Sequence, residues 1–201
     1  MPDGLLVPLL DKVIQLARLR QVEKRKLFED HIDPLFRDLQ EVTGDYIKIL
    51  GRLRNILETN DCEVVQSALI EAKNMVADAR LQLRLKRVEL RVIFDDEGRS
   101  KLCALSKEVC VQEFVANSCR LVGSWFSTAE YGTDTSLGTL FFMALGDALK
   151  QTAPEFGEND VDSRRAVAWI SGWSTRVLDQ IESAWADVSS SYHACRVELF
   201  R

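Results

Sequence analysis

The chain has 201 residues, 46% of them hydrophobic and 28% charged, with a net charge of −5 and only four prolines. A chain of this length buries about 70% of its unfolded surface, and its composition excludes the collagenous, disulfide-scaffold and intrinsically disordered classes. The acidic balance, with a pI near 5.2, argues against a protein built to coat nucleic acid. No proline lies between Leu35 and Ala153, and no rhythm of Gly/Pro clusters punctuates that stretch. An all-β fold is therefore disfavoured and an all-α helical bundle is predicted.

Pro8 suits the first turn of a helix that sets Leu9, Leu10, Val13, Ile14, Leu16, Ala17 and Leu19 toward one broad face and continues to about His31. Asp33-Pro34 reads as an N-cap followed by proline at the first helical position, a restart or a kink. The clearest pattern follows: Leu35, Leu39, Val42, Tyr46, Ile49, Leu53 and Ile56 recur at alternating spacings of four and three, a coiled-coil-like seam. The polar turn at 58–61 separates it from a second seam of Val65, Leu69, Ala72, Val76, Ala79 and Leu83. So short a connection predicts an antiparallel helical hairpin over about residues 34–93, with the other helices packed on it. Within it, residues 80–93 alternate well enough to suit a strand, but no breaker precedes them, and helix is the preferred reading.

Asp95-Asp96-Glu97-Gly98 reads as a charged turn, with Ser100 capping a helix that runs to about Phe126. A loop over 127–135 precedes an apolar helix, 136–151, and a second loop over 152–162 carries Pro154, Gly157 and four acids. The last helix, from about Ser163, bears a third seam of Val177, Ile181, Ala184, Val188, Tyr192, Cys195 and Leu199. Residues 1–201 read as one all-helical domain, divisible into an N-terminal helix plus hairpin (1–95) and a more apolar unit (100–201).

The five cysteines, Cys62, Cys103, Cys110, Cys119 and Cys195, make an odd number in a chain that does not need disulfides. A reduced, cytoplasmic setting is expected. The run Leu5–Leu10 lacks a basic leader and contains Pro8, so no signal peptide is read. No apolar run approaches the roughly 20 residues of a membrane span.

Catalytic and metal signatures are missing. Neither His31 nor His193 has a glutamate three residues before it, and no Cys-x-x-Cys, Gly-x-Gly or Gly-x-Ser-x-Gly occurs. His193 and Cys195 sit on different faces of one helix and form no local dyad. The acidic loop at 155–162 has its glycine, Gly157, away from the sixth position that a calcium loop needs, and it lacks that motif's terminal glutamate. No catalytic residue, metal ligand or cofactor is predicted.

Three features carry the functional reading. Arg80, Arg84, Arg87 and Arg91 fall within an arc of about 60° on one helix, either a docking face for an acidic partner, membrane head groups or nucleic acid, or else a solvated helix face or a set of internal salt-bridge partners. The N-terminal helix, apolar at Leu5, Leu6, Leu9, Leu10, Val13 and Ile14 and basic over 18–26, suits its own bundle, a partner's groove or an anionic membrane. Trp169 and Trp173 stand one turn apart, as interface aromatics or as core. The expectation is a non-enzymatic interaction module acting on a protein partner or on a second copy, with three seams suggesting an oligomer. The alternatives are a binder of an apolar ligand near Phe141 and Phe142 or of an anionic membrane surface, and then an enzyme of unrecognised kind.

Overall fold

The computed structural model describes residues 21–57, 62–82, 84–127, 135–151 and 160–200, and these are almost entirely α-helical. A first helix, α1, covers 21–27 and widens into a π-helical turn, Phe28–Ile32. The chain then continues as α2 (Asp33–Leu57), α3 (Cys62–Gln82), α4 (Arg84–Ile93), α5 (Asp96–Leu105) and α6 (Val109–Ser124). A two-residue antiparallel ladder joins β1 (Phe126–Ser127) to β2 (Thr135–Ser136), and the fold closes with α7 (Leu137–Gln151) and α8 (Asp160–Leu199).

Pro34 does not restart the helix. Its ring has no N–H to donate and crowds the carbonyl one turn back. The turn before it relaxes to π spacing, with the Asp33 N–H reaching back to the Phe28 carbonyl, and the helix runs on. Asp33 is thus helical in backbone (φ −64°, ψ −43°) rather than an N-cap. Its carboxylate pairs instead with Arg37 at 2.7 Å.

The cap before α5 is Asp95, not Ser100. Its carboxylate accepts the Gly98 N–H at 2.7 Å, satisfying one of the free donors of the first turn. Gly98 is a genuine requirement there, because a Cβ at that position would run into the Ile93 carbonyl. The helix expected from Ser100 to Phe126 is broken at 106–108, where Ser106 turns extended. Gln112 stitches the break, its amide donating to the carbonyls of Cys103 (2.8 Å) and Ser106 (2.6 Å). The loop expected over 127–135 opens and closes in the β1–β2 ladder, and residues 128–134 lie outside the described residues. Residues 84–93 are helical, not a strand.

Packing centres on α8, which lies most extensively against α6 and α2, while α3 packs on α7. All of Val177, Ile181, Ala184, Val188, Tyr192, Cys195 and Leu199 are buried. On α2 the buried set is Leu39, Val42, Tyr46, Leu50 and Leu53, and on α3 it is Leu69, Ala72 and Val76. Phe36 stacks between Trp185 (5.1 Å) and Tyr192 (3.7 Å) where α2 crosses α8. The described members of the seams therefore face the molecule's own core, with Leu35, Ile49 and Ile56 half-buried at its margin and Leu50, rather than Ile49, fully inside; the side chains of Val65, Ala79 and Leu83 lie outside the described residues.

Candidate interaction surface

The arginine stripe does not present itself as one face to solvent. Arg87 is only 5% exposed, and its guanidinium donates to the Tyr46 hydroxyl at 3.0 Å while lying 5.7 Å from that ring's centre. Tyr46 in turn stacks on Trp125 at 5.9 Å. The guanidinium is drawn inward because α4 packs on both α2 and α6, which places Arg87 between them. Arg91 is half-buried, and the side chains of Arg80 and Arg84 lie outside what the structure describes. As a docking residue Arg87 is thus corrected to an internal one. Beside it, Lys86 holds α4 to α2 through ion pairs with Asp38 (3.0 Å) and Glu41 (2.5 Å). Hydrogen bonds to Glu41 and then Asp38 raise its pKa.

The tryptophans divide by environment. Trp125 is buried and its indole nitrogen finds no hydrogen-bond partner among the described residues, and Trp185 is half-buried against Phe36. Trp169, by contrast, is 57% exposed and stacks on the half-buried Trp173 with ring centres 5.3 Å apart and planes 29° from parallel. The i, i+4 spacing on α8 stacks the pair, and the rotation of that helix decides its exposure. Ile170, Ser174 and Val177 point into the core, so Trp169 points out.

Sequence reasoning missed the two arginines that flank this pair, Arg165 and Arg176, both exposed and neither in an ion pair among the described residues. The signal was present. From Ser163 to Leu178 the chain carries Arg164, Arg165 and Arg176 and no acid.

The titratable groups offer little chemistry. His31 and His193 are both exposed, on separate elements. Cys110 and Cys195 are buried where α6 meets α8, and burial above all raises the pKa of each. Burial likewise raises Cys119. Among the described residues no three His, Cys, Asp or Glu side chains group as a metal site, and no helix is long and apolar enough to cross a membrane. The apolar N-terminal residues Leu5 to Ile14 and residues 155–159 of the acidic loop lie outside the described residues, as do the side chains of Phe141 and Phe142, while residues 160–162, expected as the end of that loop, already form the first turn of α8.

No protein-family model, curated protein or solved structure matches this chain.

Proposed function

We propose that the protein is a non-enzymatic helical interaction module that engages a protein partner through the exposed face of α8. The solvent-exposed Trp169 ring, stacked on the half-buried Trp173, carries this reading. A large aromatic surface left in water has an unfavourable hydration free energy that a partner removes, and tryptophan is the side chain most enriched at the energetic centres of interfaces. The helical hairpin expected from the sequence serves in this reading as scaffold. We take α2 to run antiparallel to α3 and α4, since Arg52 reaches Met75 (3.9 Å) while the earlier residue Glu41 meets the later Lys86. Because the seams are occupied internally, self-association would also have to use surfaces such as the α8 face.

A photo-crosslinking amino acid in place of Trp169, introduced in the native cells, tests the proposal. A discrete protein adduct, absent when the same probe replaces the exposed Ser190, is the expected result. An adduct to a second copy of this chain would assign the face to self-assembly. No adduct above the Ser190 control would overturn the reading.

A further inference from the structure

Arg165, Trp169, Trp173 and Arg176 share an arc of about 80° of α8 at 100° per residue, and the two arginines stand about 16 Å apart along its axis. Gly172 lies on the same strip and leaves a notch beside the indoles, where the nearest side-chain atom to a would-be Cβ is the Arg176 guanidinium at 3.6 Å. Along this helix the cationic stretch is bounded by Asp162, three residues before Arg165, and by Asp179, three residues after Arg176. Two exposed guanidinium groups, in no ion pair among the described residues, thus bracket the exposed Trp169 and its half-buried neighbour Trp173.

We propose that this face takes an acidic segment of a protein partner, with carboxylates on either side of an apolar side chain. The inference rests on the interaction reading above and names its partner class. Guanidinium forks match carboxylates in geometry as well as charge, and bidentate pairs of this kind are among the stronger hydrogen bonds. The indoles supply the apolar anchor between them. A bilayer or a nucleic acid presents many anionic charges over a wide area and feels the whole molecule, whose net charge is −5. A short acidic segment needs only the local cations, since salt screens the rest beyond about 10 Å.

The full chain is titrated, by fluorescence anisotropy, into a labelled 12-residue peptide of Glu, Leu and Ala, and into the same peptide with Gln for every Glu. The Glu peptide should bind at least tenfold more tightly. Arg165→Gln with Arg176→Gln should erase that difference, and Trp169→Ala should weaken the Glu peptide about tenfold. Because these side chains are exposed or half-buried, the circular dichroism spectrum and thermal midpoint of each variant should match the wild type. Equal binding of the two peptides, or a double variant that keeps the preference, would overturn the proposal. So would arginine-dependent binding to phosphatidylserine vesicles or duplex DNA in place of the Glu peptide. If the position-169 crosslink forms while the peptide preference is absent, the partner chemistry is wrong and the docking face stands. If both fail, the face itself is wrong.

Discussion

The phenol of Tyr192 donates to the Asp33 carboxylate at 2.7 Å, across 159 positions of sequence. It ties the start of α2 to the last turns of α8, with the Phe36 ring stacked on Tyr192 nearly in parallel at 9°. Burial first, and the Asp33 carboxylate second, push this phenol up to about 12.

An alkaline dependence of stability follows from that shift. An unfolded tyrosine releases its proton near pH 10, whereas the folded protein holds it to about 12. Between those values the folded state binds more protons. The contribution of Tyr192 is therefore complete below about pH 10 and is lost as pH rises toward 12. Tyr192→Phe has no phenol to titrate. The stability difference between wild type and variant, measured by urea denaturation, should shift in the variant's favour from about pH 9 to about pH 11.5. A difference that stays constant across that range contradicts the assignment.

Leu39 and Leu69 are fully buried on α2 and α3. Replacing either with alanine removes its transfer free energy and leaves a cavity, at a cost of about 2–5 kcal/mol each. Val88, half-exposed on α4, serves as the control and should change by no more than about 0.5 kcal/mol on mutation to alanine. Denaturant unfolding decides. Costs below about 0.5 kcal/mol at both leucines would mean that the seams are not the core.

Arg87→Glu should act on the fold. It replaces a buried, hydrogen-bonded guanidinium beside Tyr46 with a carboxylate, and removal of such a buried charge costs on the order of 3–5 kcal/mol. The same reversal at the exposed Lys107 should fall within about 0.5 kcal/mol. A thermal midpoint at Arg87→Glu equal to wild type would return Arg87 to the surface.

The glycines should respond in opposite directions. Gly98→Ala would place a methyl group 2.7 Å from the Val92 oxygen and against the Ile93 carbonyl, backbone atoms that cannot swing aside. A cost of about 1–3 kcal/mol is expected. Gly44 and Gly51, inside α2, have nothing within 4 Å of a Cβ, so alanine at either should stabilise the helix by up to about 1 kcal/mol. Calorimetric midpoints of the three variants check both signs.

With their pKa values raised mainly by burial, Cys110 and Cys195 remain protonated thiols at neutral pH, and the thiolate is the reactive form. Neither should be labelled by an aromatic disulfide reagent until the protein is unfolded. Peptide mapping by mass spectrometry before and after denaturant identifies the modified sites. Rapid labelling of Cys195 in the native state would contradict its burial.

Fold class and core faces were legible in the sequence because helical periodicity is a local property. The spacing of Val177, Ile181, Ala184, Val188, Tyr192, Cys195 and Leu199 names a single side of a helix whatever that side meets, and all of them are buried. Boundaries were less legible. Asp33-Pro34 has the composition of a helix start, yet the π turn before it absorbs the proline. Ser100 has the chemistry of a cap, yet Asp95 lies five residues earlier and takes the position.

What only the tertiary structure decided is which side chains are left to solvent. Arg87 and Arg165 are alike as residues, and Trp125 and Trp169 are alike, but the packing of α4 against α2 and α6 buries the first of one pair, and the rotation of α8 exposes the second of the other. Periodicity specifies the apolar side of each helix, while its angular setting against its neighbours depends on contacts between residues far apart in the chain. A pattern confined to one helix carries no information about those contacts.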